Sequence, residues 1–154
     1  MEVVEFLKRV QLFEGLSEEA LRRIASLGRE QRYPSASVIF REGDPGEAFY
    51  VVIDGAVRVS KFVPGAGEEA MAFMEKGDCF GEMSLIDNRP RSATAIAHAD
   101  CWLLAIGREE FLDLLRSDRE LAWVILWGLC RILSLRLRET SDRFVTVFAI
   151  ARAF

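Results

Sequence analysis

A segment just past the middle of the chain, Phe80 to Ala97 (FGEMSLIDNRPRSATAIA), carries the side chains best suited to chemistry. Gly81 tolerates backbone angles closed to other residues and lets a ligand approach the main chain. The residues that follow, Glu82-Met83-Ser84-Leu85-Ile86, suit about one turn of helix whose free N–H groups face an anion. Arg91 lies ten residues beyond Gly81, and its planar, permanently charged fork matches two oxygens of one phosphate. Ser92 adds a hydroxyl and a further N–H beside it. Glu82 is repulsive in the middle of an anion site unless it has a donor of its own, so it is expected to face a ligand hydroxyl. A phosphate next to a sugar hydroxyl meets both demands. Arg89, on the other side of Pro90, reads as a solvated loop charge.

These residues must be held by the elements around them. From about Glu30 to Gly107 the chain breaks into short runs rich in Val, Ile, Phe and Tyr, parted by Gly, Pro and Asp: SVIFREG, AFYVVIDG, AVRVSKF, EAMAFMEKG, ATAIA and CWLLAI. Six such runs argue for an antiparallel barrel or jelly roll. Asp54-Gly55, between YVVI and AVRV, has hairpin-turn chemistry and is expected to join two neighbouring strands. Before the barrel, Val3, Phe6, Leu7, Val10 and Phe13 recur at helical steps, and Ser17 caps a second helix running into Glu18, Glu19 and Leu21. After it, Phe111, Leu114 and Leu115 mark a short amphipathic helix, and a long helix runs from about Asp118 to at least Asp142. The expected class is α+β in a single domain over 1–154: helices over about 2–28, a jelly roll (double-stranded β-helix) over about 30–107, and C-terminal helices over about 108–154.

In the long helix Leu121, Trp123, Val124, Ile125, Leu126, Trp127, Leu129, Ile132, Leu133 and Leu135 leave no wide polar face. A barrel covers one side only, so a second subunit is expected to cover another, with Trp123 and Trp127 split between core and dimer seam. The tail FVTVFAIARAF sets Phe144, Val147, Phe148, Ala151 and Phe154 on one stripe.

The composition bounds the function. The chain has 154 residues, 51% hydrophobic and 29% charged, with 20 Lys+Arg against 24 Asp+Glu and a net charge of −4. That excludes a basic protein coating nucleic acid but permits a local basic site. Cys79, Cys101 and Cys130 form no CxxC pair and His98 is the sole histidine, so neither zinc nor a disulfide framework is expected, and a reducing cytoplasm fits. The cysteines read as small apolar fillers, with Cys130 best placed for a helix–helix contact. Glu2, Glu5, Lys8 and Arg9 interrupt the N-terminal apolar residues, so no export signal is read. The most apolar stretch, Leu121 to Cys130, has ten residues, too few to span a bilayer.

Residues 80–97 resemble the phosphate-binding cassette of the cyclic nucleotide-binding domain family, which includes bacterial catabolite activator proteins, protein kinase A regulatory subunits and cyclic-nucleotide-gated channels. The likeness extends from FLKRVQLFEGLSEEAL through REGDPGEAFYVVIDGAVRV to the long final helix. It implies that Glu82 accepts from the ribose 2′-hydroxyl, that Arg91 holds the cyclic phosphate, and that main-chain N–H groups around Gly81, Met83, Ser92 and Ala93 complete its shell. Val59, Met71, Ala72 and Met83 are similar in position to the apolar contacts of sugar and base. The final helix is implied to close over the purine through Arg136 or its neighbours Leu133 and Leu137, with Arg138 a further candidate.

The resemblance therefore implies a sensor of cAMP, or of cGMP, that signals through its C-terminal helices. It needs no cofactor beyond that ligand, and Ser92 leaves the base undecided. A rival reading is a nucleotide-insensitive dimerisation or interaction module on the same fold. An enzyme of the metal-binding cupin type would need several His and carboxylate ligands and is not expected with one histidine. About ten residues follow Asp142, so no direct DNA binding and no membrane span are expected; the output is expected to pass to an unidentified effector protein.

Overall fold

The computed structural model describes residues 2–154. The chain runs α1 (Val3–Leu7), a 3-10 turn (Gln11–Phe13), α2 (Glu18–Leu27), then strands β1 (Gly28–Tyr33), β2 (Val38–Phe40), β3 (Ala48–Asp54), β4 (Val57–Val63), β5 (Gly67–Met74) and β6 (Cys79–Phe80). There follow α3 (Glu82–Asp87), β7 (Thr94–Ala97), β8 (Cys101–Gly107), α4 (Arg108–Ser117) and α5 (Arg119–Ala153). Two four-stranded antiparallel sheets, β1-β8-β3-β6 and β2-β7-β4-β5, face each other as the expected jelly roll.

The apolar runs of β3 and β8 are continuous because both faces of that sheet are buried. Phe49, Val51 and Ile53, with Leu104 and Ile106, pack outward against Phe6, Leu7, Leu21, Ile24 and Phe111 of the helices. Tyr50 and Val52, with Leu103 and Ala105, turn inward with Val57, Met74, Phe80, Ala95 and Ala97. One face thus docks the helices while the other lines the barrel. Burial pushes the Cys79 thiol well above its ordinary pKa, so it is an uncharged filler beside the site.

Three expectations are corrected. The barrel has eight strands where six runs were read. β1 (GREQRY) escapes an apolar search because, as an edge strand, it pairs only with β8 and leaves charged residues in water; β6 is only two residues long. The N-terminal stripe does not form one helix but breaks after Leu7, although Phe6, Leu7, Val10 and Phe13 are all buried. Asp54-Gly55 does not close a hairpin between neighbours, since β3 and β4 lie in different sheets. The turn carries the chain across the barrel edge: Gly55 has φ +88°, and a Cβ there would stand 2.2 Å from the Asp100 carbonyl.

Ser17 caps α2 as expected, its hydroxyl accepting from Ala20 N at 3.1 Å. Asp118 does the same for α5, accepting from Leu121 N at 3.0 Å and pairing with Arg23 at 2.8 Å. Leu121, Ile125 and Leu129, at four-residue steps, are the residues of α5 sunk into the core. Trp123 and Trp127 stack with ring centroids 6.0 Å apart and stay 69% and 58% exposed. Among the described residues no helix is long and apolar enough to cross a membrane.

The hydrogen bond from Leu121 N, then Arg23, holds the Asp118 carboxyl below its ordinary value. A depressed carboxyl contributes stability above its unfolded pKa and loses it as pH falls through the folded one. Asp118→Ala is therefore expected to lower Tm at pH 7, and the gap between parent and variant to close as the pH is taken below about 4. Thermal unfolding of both proteins across that range checks it, and a gap constant with pH would contradict the cap.

Candidate functional site

The cassette begins where β6 ends. Gly81 has φ 80° and ψ 8°, a left-handed conformation that turns the chain from strand into α3. A Cβ at this position would lie 2.7 Å from Arg91 Nη1, so glycine is required both by the turn and by the arginine packed on it. α3 is capped by Asn88, also left-handed, and the loop returns through Pro90 to Arg91. The main chain of Arg91 is fixed by the 41–44 turn: its N–H donates to Asp44 O at 2.8 Å, and its carbonyl accepts from Gly43 N at 2.9 Å.

The Arg91 side chain is only 5% exposed. Nη1 donates to Gly81 O at 3.1 Å and Nη2 to Ala48 O at 2.5 Å, while Nε is buried without a partner. The guanidinium lies 4.1 Å from the Phe40 ring centroid, in a cluster where Tyr50 and Phe80 stack 5.1 Å apart. Burial lowers its pKa from the ordinary value, yet an arginine so placed stays a cation at neutral pH. A buried cation held by neutral carbonyls and an aromatic face, with no carboxylate paired to it among the described residues, is a ready receptor for an anion.

Glu82 opens α3 and is 3% exposed. Its carboxylate Oε1 accepts from Arg136 Nη1 of α5. The same guanidinium donates through Nη2 to Cys79 O and lies 3.6 Å from Met74 Sδ. Arg136 thus enters the site, but against the carboxylate implied to take the ribose hydroxyl.

The other expected residues divide. Met83 and Ser92 stand side by side at the surface, Ser92 Oγ 3.7 Å from Met83 Sδ, and Ala93 is buried behind them. Val59 and Ala72 are register partners on β4 and β5 and pack on the barrel interior. Met71 sits at the irregularity in that pairing, exposed, its carbonyl accepting from Arg143 of α5. Leu133 is half-buried, and Leu137 and Arg138 are exposed.

Sequence reading missed Phe40, Ala48, Tyr50 and Met74. Ala48 acts through its main-chain carbonyl, which no side-chain pattern reports. Tyr50 was open to detection, because alternation in AFYVVID sets it on the face opposite Phe49 and Val51. A cavity of about 810 Å³ is lined by Phe40, Ala48, Tyr50 and Arg91, with Asp44 and Glu47 on its wall. Arg91 is its one expected site residue; Glu82 lies apart, beneath α5.

The family model described as cyclic nucleotide-binding domain matches residues 30–118. The cyclic AMP receptor protein of Thermus thermophilus is 38% identical over 135 residues, which cover 88% of this chain and 61% of that protein. The crystal structure of a cyclic nucleotide-binding domain from Methylobacillus flagellatus superposes with a TM-score of 0.82 at 31% identity, covering 93% of this chain and 80% of that one. The regulatory domain of Toxoplasma gondii PKA, crystallised with cAMP, gives a TM-score of 0.72 at 30% identity, over 89% of this chain and 49% of that one. The chain therefore spans about three fifths of the Thermus receptor's length.

Proposed function

The chain belongs to the cyclic nucleotide-binding domain family, and from that premise we propose that it is a cytoplasmic sensor module that binds cAMP and reports occupancy through α5. The observation that carries this reading is Arg91, a buried cation with an orphan Nε and no ion-pair partner among the described residues. A cyclic phosphate brings the missing negative charge, with N–H groups of the Gly81–Met83 and Ser92–Ala93 backbone around it. Glu82 then takes the 2′-hydroxyl, and Val59, Ala72 and Met83 supply apolar contact. Met71, exposed on β5, joins them in that contact. cGMP is the alternative ligand, with Ser92 the hydroxyl nearest the phosphate arginine.

Nothing in this proposal makes the chain an enzyme: the named site residues bind and orient. Homodimerisation through α5 belongs to the same reading, supported by the exposed Trp123, Trp127, Phe144 and Phe148. The signal would pass to an effector, either a separate protein or a transcription-regulating partner domain. The same exposed face also favours a second reading, an interaction module that ignores nucleotides.

Calorimetric titration with cAMP, cGMP and linear 5′-AMP separates the two. Saturable binding of cAMP, weaker binding of 5′-AMP and a ligand-dependent rise in Tm are expected. Absence of heat and of thermal shift with millimolar cAMP and cGMP would leave the interaction module standing. Light scattering on the same samples is expected to give a dimer.

A further inference from the structure

We infer that the groove between the 3-10 turn and the middle of α5 docks an acidic amphipathic helix of a partner protein, one carrying two carboxylates seven residues apart with an apolar residue between them. Gly128 makes the groove: a Cβ there would lie 2.9 Å from Leu12 O, so the missing side chain lets the turn rest directly on α5. Gln11 of the turn then walls a cavity of about 470 Å³ whose other side is α5 itself. Trp127, Arg131, Leu135 and Arg138 line it and follow one another at steps of four, four and three, so they form one stripe of the helix. Trp127 and Leu135 are 58% and 53% exposed, and both arginines are exposed beside them.

Charge decides the occupant. No carboxylate lines the groove, and neither arginine belongs to an ion pair among the described residues. The two cations stand about 10.5 Å apart along the axis, with Leu135 between them. A helix with Glu or Asp at the same spacing meets both, while its own apolar residue covers Leu135 and the indole of Trp127. Trp and Arg are the residue types on which interfaces concentrate their energy. A second copy of this chain fits poorly, since a two-fold contact across the stripe sets the arginines of one copy against those of the other. Trp127, stacked on Trp123, marks the border with the face proposed for the dimer. A nucleic acid strand draws on a longer run of cations than two, and the chain's net charge of −4 opposes it.

The test uses the unliganded chain and two fluorescein-labelled peptides held helical by a hydrocarbon staple. One carries Glu and the other Lys at two positions seven apart, with Leu between them in both. Fluorescence anisotropy is expected to show saturable binding of the Glu peptide, weakened several-fold in about 0.5 M NaCl, and none of the Lys peptide. Reversing both cations, Arg131→Glu with Arg138→Glu, is expected to weaken the Glu peptide about tenfold and to confer binding of the Lys peptide. Damage to the fold would not give that exchange of preference. Thermal unfolding shows whether the variant folds; if it does not, Leu135→Ala serves, with an expected loss of about threefold for the Glu peptide. No saturable binding by the parent, equal binding of the two peptides, or a variant with the parent's preference and affinity overturns the inference. Tighter binding of a single-stranded oligonucleotide than of the Glu peptide overturns it in favour of nucleic acid. Self-association of the parent that light scattering shows to be lost in the reversed variant overturns it in favour of a second copy. All of these measurements are made without nucleotide, so their failure leaves the cAMP titration and the reading tied to it intact.

Discussion

Replacing Arg91 by alanine is expected to weaken cAMP binding by about 30- to 5,000-fold, the range set by ~2–5 kcal/mol for losing one partner of a buried charge pair. The figure is large because the guanidinium is buried, so its attraction for phosphate is weakly screened and water has little access to take its place. Arg91→Lys tests geometry separately from charge. The ammonium keeps the positive charge but cannot span Gly81 O and Ala48 O while also presenting two parallel donors to a phosphate. It is expected to recover a minor part of the loss. Calorimetry on all three proteins provides the measurement. Thermal unfolding must accompany it, because Arg91 also ties Gly81 and Ala48 together and its removal frees two carbonyls. Unchanged affinity in a folded Arg91→Ala protein would remove the arginine from the site.

The second large effect is on stability. Phe111 of α4 is fully buried, its ring centroid 4.8 Å from that of Phe49 on β3. Phe111→Ala removes the wedge between the helices and the outer face of the sheet, in a core also lined by Ile24, Leu104 and Ile106. The expected cost is ~3–5 kcal/mol, the transfer term together with the cavity left behind. For a domain of this length that corresponds to a fall in Tm of about 10 °C. Urea and thermal unfolding check it, and a change below about 1 kcal/mol would mean that α4 is not anchored through this ring. The contact also bears on the proposed output, since α4 leads through the Asp118 cap into α5.

Much of this was legible in the chain itself. The periods of three to four and of two separate helical ends from a strand-rich middle, because burial of one face demands them. The Gly81, Glu82 and Arg91 spacing points to the proposed site, since a positive-φ turn and a fork-shaped cation each restrict residue type. Ser17 and Asp118 show the local end of the scale: a cap depends on residues three positions away, and Ser17 was read correctly on that basis.

What depended on distant partners was not legible. Asp54-Gly55 has the chemistry of a hairpin, but whether the next strand pairs with the last or crosses to the other sheet depends on β8 and β6, which occupy the places beside β3. β1 is a strand because β8 offers it an edge, not because its own residues are apolar.

The sequence by itself determined the class of fold and pointed to a stretch whose residue types suit a sugar phosphate, because these rest on local backbone angles, periodicity and side-chain chemistry. Only the tertiary structure decided that Arg91 is buried with no carboxylate paired to it among the described residues, and that Arg136 covers Glu82. Both facts depend on which carbonyls and carboxylates residues 43 and 54 positions apart bring to one place, and no spacing along the chain encodes that.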